Sequence, residues 1–149
     1  MDDRPAVVAS ARDDEVLRWC RRPEPAVAAA GEYVARAAAD WAEDTRYTWA
    51  VCEPTTGEML GEVALTDLDA AQGRARLGVW MLAPARRRGL ATAAATSVLR
   101  FAVHGLGLDA VTCRWAEANV AAGRLAHRCG FVVEGRQADV LVGRRPADR

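Results

Sequence analysis

The chain contains no lysine; all 20 of its basic residues are arginine. A lysine nucleophile or Schiff base is therefore excluded from its chemistry, and beside the abundant alanine the bias reads as one of coding. Excess charge of one sign is also lacking. The 20 basic residues balance 20 acidic ones, giving a formal net charge of zero and a pI near 6.7. General binders of nucleic acid or of anionic membranes carry a basic excess, so neither partner is expected. The four cysteines, Cys20, Cys52, Cys113 and Cys129, form no C-x-x-C pair and no zinc spacing. His127 and Cys129 are neighbours without further ligands, so no metal is expected. Free thiols in a reducing cytosol are the expectation instead. The start shows no charged segment followed by an apolar one, and no apolar run nears membrane-spanning length. The expected location is the cytoplasm.

What is present suits one domain over residues 1–149, with 51% hydrophobic and 27% charged residues. Residues 13–20 read as a short helix stopped by Arg21-Arg22-Pro23. Residues 25–41 read as a longer one, with Pro25 in its first turn. Strands are expected over 47–53, 59–68 and 74–82, joined by turns at 54–57 and 69–73. Ala91, Ala94, Ala95, Val98, Leu99 and Ala102 then form one apolar stripe, a helix of small residues ended by Gly105 and Gly107. A strand over 109–115 follows. Asn119 is the expected N-cap of the next helix, and Gly130 its C′ residue. Short strands over 131–135 and 138–143, joined directly by Arg136-Gln137, end the pattern. Hairpins followed by β-α-β-α-β imply an α/β (α+β) domain with a mixed sheet and helices on both faces.

The most informative stretch is Arg86-Arg87-Arg88-Gly89-Leu90-Ala91, between the strand ending at Leu82 and the alanine-rich helix. A glycine turn that opens a helix aims several N–H groups at one point, and the helix dipole adds positive charge there. Gly89 lets an anion approach the backbone. The arginines supply forked donors for phosphate oxygens.

These residues fit the pattern Arg/Gln-x-x-Gly-x-Gly/Ala and resemble the pyrophosphate loop of the GCN5-related N-acetyltransferase (GNAT) superfamily. Leu77-Gly78-Val79-Trp80-Met81-Leu82-Ala83-Pro84 resembles the strand before that loop in the RimJ/RimL-like branch. The segment from Asn119 to Gly130-Phe131 resembles that branch's Asn-x-x-Ser…Gly-Phe, with Glu134-Gly135 after it. The resemblance covers about residues 47–135. It implies a mostly antiparallel sheet with a V-shaped splay between its two central parallel strands, and acetyl-coenzyme A as co-substrate in that gap.

By the same resemblance, Met81, Leu82 and Ala83 border the pantetheine arm, with Met81 and Ala83 offering backbone groups. An N–H near Met81 polarises the thioester. Arg86, Arg87, Arg88, Gly89, Leu90, Ala91 and Thr92 hold the pyrophosphate, and Asn119 bonds the pantetheine or the acceptor side. The implied reaction is direct attack by a primary amine, on a protein N-terminus or a small molecule, which needs a base or a water relay.

The chain departs from its relatives in several places. Ala122 replaces a Ser that could serve as an acid, and Arg76 stands where an acidic residue often precedes Leu-Gly-x-Trp. Glu62, Asp67 and Glu117 are the substitute catalytic candidates, each competing with the reading of an ordinary solvated or capping carboxylate. Relatives begin with a strand and helix ahead of Arg4-Pro5, whereas here the match starts inside that helix. A missing first strand would expose a sheet edge, so a homodimer is expected to cover it. Trp41, Trp49 and Trp80 are expected in the core or a pocket wall, and Trp115 beside the gap in the acceptor pocket. The alternative function is a catalytically weak coenzyme A-binding module acting through a partner.

Overall fold

The computed structural model describes residues 2–19 and 29–148. Among the described residues six strands form one sheet in the order β1-β2-β3-β4-β6-β5. They are β1 (Tyr47–Cys52), β2 (Met59–Asp69), β3 (Arg74–Met81), β4 (Ala110–Ala116), β5 (Val132–Gln137) and β6 (Val140–Pro146). All neighbours run antiparallel except β3 and β4, which are parallel. The helices are α1 (Arg4–Ser10), α2 (Asp14–Trp19), α3 (Ala30–Ala42), α4 (Leu90–Arg100) and α5 (Val120–Arg128).

Alternation along the strands sorts the side chains onto two faces. Val63, Leu65 and Leu77 point to the face covered by α4, where they join Ala95, Val98, Leu99 and Val111 in the main core. Small residues let α4 sit close to the sheet: Ala95 and Ala102 have no exposed surface. Each fully buried leucine here, such as Leu65 or Leu99, contributes roughly 1.5–3 kcal/mol. On the opposite face a smaller cluster joins Ala6 of α1 and Val16 of α2 to Met59 and Trp80, with Leu82 packed against it.

The ends of the elements follow local chemistry. Asn119 accepts the Ala122 N–H at 3.2 Å and caps α5. At the other end Gly130 takes φ 84°, its N–H reaches the His127 carbonyl, and the Phe131 N–H reaches that of Ala126. This is a Schellman closure with Phe131 buried behind it. The helix expected to run to His104 does so, but its last turn, Phe101–Gly105, widens to π geometry. Gly105 permits this, because a Cβ there would lie 2.7 Å from the Phe101 ring.

Two expectations need correction or restriction. Arg136 and Gln137 do not link the last strands; they pair with Leu141 and Val140 inside the ladder. The link is Ala138 and Asp139, with Ala138 at φ 52°, because the hairpin closes through a left-handed residue rather than a direct join. Cys20, the Arg21-Arg22-Pro23 stop and the Pro25 helix start lie outside the described residues.

Among the described residues β1 pairs with β2 alone, so the expected sheet edge is present. α3 partly manages it. The Trp41 indole donates to the Thr48 carbonyl at 2.9 Å and stacks edge-on with Tyr47 and Trp49.

Candidate functional site

β3 and β4 pair at Arg74↔Ala110, Ala75↔Val111 and Arg76↔Thr112, and there the pairing stops. β3 continues to Met81 and β4 to Ala116, so the two parallel strands splay. Each is held by its other neighbour. β3 is laddered to β2 from Thr66↔Arg76 to Gly61↔Met81, and β4 to β6 along its whole length. The V is thus an interruption between two intact ladders.

The Leu82 N–H donates to the Leu60 carbonyl at 2.8 Å, towards β2. Alternation therefore turns the Met81 backbone the other way, into the splay, where no strand meets it. A backbone-pairing ligand arm fits that gap as an added strand. The neighbouring residues are otherwise engaged. Leu82 faces β2 through its N–H, and the Ala83 N–H lies beside the Asp13 carboxylate.

Beyond β3 a single 3₁₀ turn, Ala83–Ala85, leads into the arginine loop. Gly89 is the N-cap of α4 at φ 74°, with no side-chain cap on the helix. A Cβ at Gly89 would meet nothing within 4 Å. The N–H groups of Leu90, Ala91 and Thr92, in the first turn of this uncapped helix, have no partner within it and lie at the positive end of its dipole. Arg87 also takes a positive φ of 62°, a conformation that costs a non-glycine residue roughly 1–2 kcal/mol. An uncapped helix start, a cradle with room and a splay with unpaired backbone together fit the pyrophosphate and pantetheine of coenzyme A.

The three loop arginines differ. Arg86 is a tether: its Nη2 bonds Asp13 at 2.5 Å and its Nε lies 3.4 Å from Glu15. Arg88 pairs with Glu53 at 2.9 Å, partly in solvent, an attraction worth about 0–1 kcal/mol and readily exchanged. Arg87 is exposed and makes no ion pair among the described residues. Asp13 is the hub that the sequence reading missed. It caps α2 through the Glu15 and Val16 N–H groups and grips Arg86 as well. Burial pushes its carboxyl up, but Arg86 and the N–H groups of Val16 and Ala83 outweigh burial and hold it below the usual carboxylate range. The capping pattern ahead of α2 was the available signal.

The catalytic candidates are not brought together. Glu62 has 3% exposure, on the face opposite α4. It accepts from the Tyr33 hydroxyl at 2.5 Å and the Trp80 indole at 2.9 Å, with Arg46 at 3.6 Å. Asp67 is exposed and pairs with Arg76 at 3.1 Å. Glu117 is exposed at the end of β4, 2.6 Å from Arg136. The Asn119 Oδ1 is engaged in capping α5. Trp115 borders a cleft with Glu117, Asn119 and Arg124. It lies under α5, where a Cβ on Gly123 or Gly143 would come within 3.2 or 2.8 Å of its ring system, because its odd register puts it on the helix-covered face. Burial and the neighbouring Cys129 push the Cys113 thiol up to about 12, so it is not a thiolate nucleophile at neutral pH. Among the described residues no helix is long and apolar enough to cross a membrane, and no group of three or more metal-ligating side chains converges.

A parallel strand pair splayed in front of a glycine-opened helix defines a domain of the coenzyme A-dependent acyltransferase type. The chain belongs to the acetyltransferase (GNAT) domain family, whose profile matches residues 1–132. YdaF of Bacillus subtilis, assigned as a ribosomal N-acetyltransferase, is 29% identical over 85 residues. Those residues are 57% of this chain and 46% of YdaF, so the match spans just under half of that relative. A structure from Vibrio cholerae, assigned as a ribosomal-protein-serine acetyltransferase, superposes with a TM-score of 0.83 at 21% identity, over 98% of this chain and 89% of that one. RimL, a ribosomal L7/L12 α-N-protein acetyltransferase solved with coenzyme A, superposes with a TM-score of 0.85 at 15% identity, over 98% and 90% of the two chains. These structural likenesses show a shared fold, RimJ/RimL-like members included.

Proposed function

We propose that this protein transfers an acetyl group from acetyl-coenzyme A to a primary amine by direct attack. The observation that carries the reading is the splay above Arg76 and Thr112, with the Met81 backbone turned into it and the uncapped start of α4 behind it. Acetyl-coenzyme A supplies an activated acyl thioester. Leu90, Ala91 and Thr92 hold its pyrophosphate through backbone N–H groups, with Gly89 leaving room and Arg87 and Arg88 adding charge. Met81 pairs the pantetheine arm, and its N–H stabilises negative charge developing on the thioester oxygen.

Proton removal sets the acceptor class. None of the three candidate carboxylates has both oxygens free at the splay. Glu62 is best placed to act indirectly, by fixing Tyr33 and Trp80 on the face beside the gap. A protein α-amine has a pKa of about 7.7–8.0, against about 10.4 for an alkyl amine. A useful fraction of α-amine is thus already neutral near pH 8, and water suffices to take the proton. A protein N-terminus is the acceptor this site needs least help to use. A second copy covering the β1 edge completes the proposed assembly.

Calorimetric titration with acetyl-coenzyme A and desulfo-coenzyme A, followed by thiol release with N-terminal peptides and with polyamines, tests the proposal. Micromolar saturable binding is expected, with turnover rising with pH to a plateau near 8–9 as the α-amine deprotonates. No binding by folded protein would overturn it. Binding without turnover for any amine would establish the coenzyme-binding regulatory alternative.

A further inference from the structure

The sheet face opposite α4 and α5 is not uniform. Over β2 and the end of β3 it is closed by α1 and α2 around Trp80. At the base of the V it carries charge. Register places Arg76 of β3, Thr112 of β4 and Arg144 of β6 in one row across three strands. Two residues further along, Gly78 and Arg114 stand on either side of the opening. Gly78 is exposed, and a Cβ there would meet nothing within 4 Å, so the surface beside the splay is open at this point.

The balancing anions are few. Arg76 pairs with the exposed Asp67 at 3.1 Å. Arg114 is exposed, and among the described residues neither it nor Arg144 makes an ion pair. The Arg144 Nε is buried with no hydrogen-bond partner. That Nε is enclosed by protein, so an incoming carboxylate would be met by the terminal Nη groups of the guanidinium.

We infer that the acceptor is a peptide N-terminus with carboxylates among its first residues, read by Arg76, Arg114 and Arg144 on the open face beside the splay. The inference rests on the acetyltransferase reading. At about 3.3 Å per residue, Gly78 lies about 10 Å and Arg76 about 17 Å along β3 from Met81. An amine held beside Met81 therefore brings roughly the second to fifth residues of an extended chain within arginine reach. A small amine is too short to touch both ends. The coenzyme phosphates are not the ligand of this row, since the α4 start lies at the far end of β3. A nucleic-acid footprint is disfavoured by the zero net charge of the chain.

The test uses three peptides of equal length with a free N-terminus and Asp/Glu, Asn/Gln or Arg at positions two to five, each with the full chain and saturating acetyl-coenzyme A. Thiol release gives kcat/KM, and fluorescence anisotropy gives peptide affinity for the coenzyme-loaded protein. The acidic peptide is expected to exceed the neutral one by about tenfold or more, and the advantage to shrink with added salt. Arg144→Gln should reduce the ratio. Arg114→Glu should shift preference towards the arginine peptide, a gain that misfolding cannot mimic, with coenzyme affinity as the folding control. Equal kcat/KM and equal affinity for the three peptides would overturn the inference while leaving acetyl transfer intact. So would free glutamate acting as well as the acidic peptide, or an RNA oligomer displacing it at lower concentration. Loss of coenzyme binding in the unmodified protein would instead sink the acetyltransferase reading, and this inference with it.

Discussion

The lower and upper halves of the β3–β4 pair are built from the same two strands and behave differently. Below Arg76 and Thr112 the backbones bond to each other; above them they part. The lower half derives its order from local pairing. The upper half derives its order from outside, because β2 and β6 keep each strand straight while the facing edges stay unmatched. The upper half therefore offers backbone atoms and empty space, while the boundary row and the rim above it carry the arginine side chains of Arg76, Arg144 and Arg114. A binding gap in a sheet needs both neighbours to be firm, and that firmness includes the buried Glu62 with its Tyr33 and Trp80 donors.

That contrast can be broken most severely at the mouth of the upper half. Gly89→Glu puts a side chain at φ 74° and a negative charge at the proposed phosphate site. Coenzyme A affinity by calorimetry should fall about 1,000-fold, roughly 4 kcal/mol, and intact affinity would refute the loop assignment. Next comes the support of β3. Glu62→Ala leaves the Tyr33 hydroxyl and the Trp80 indole without their shared acceptor, and should lower unfolding free energy by about 3 kcal/mol in urea. Glu62→Gln, which keeps an acceptor oxygen, should lose less.

Asp13→Asn weakens the tether between α2 and the loop. It should lower stability by about 1–2 kcal/mol and coenzyme affinity a few-fold. Its pH dependence sharpens the point. The folded carboxyl sits below its unfolded value of about 3.9, so its stabilisation is complete above that pH and disappears as pH falls through the folded value. Thermal melts of Asp13→Asn and the unmodified chain should differ at neutral pH and converge under acid. The smallest effect is Arg87→Ala, which should weaken coenzyme A about fivefold in low salt and less as ionic strength rises. No change in low salt would leave the backbone as the sole phosphate ligand.

The strands, the small-residue helix, the Asn119 cap and the Gly130 closure were legible because each depends on residues within a few positions: alternation, a stripe, a capping oxygen, a tolerated positive φ. The arginine loop was legible for the same reason, being one turn between a strand and a helix. Illegible were the partners of those residues. Nothing local tells that Arg86 is held by Asp13, 73 residues earlier, or that Arg88 meets Glu53, so three adjacent arginines looked alike. Nor could Trp115 be placed, since its face depends on β4's register against β6 and on the Gly123 and Gly143 beneath it.

The sequence by itself determined the element types, the position of the loop and the conformations that only glycine tolerates easily, because these are set by short-range sterics and periodicity. The tertiary structure alone decided where β3 and β4 part company, which arginines are tied and which are free, and that Arg76, Arg114 and Arg144 share one open face. Those facts depend on strand order and register, which bring residues far apart in the chain into a row, and no local rule encodes them.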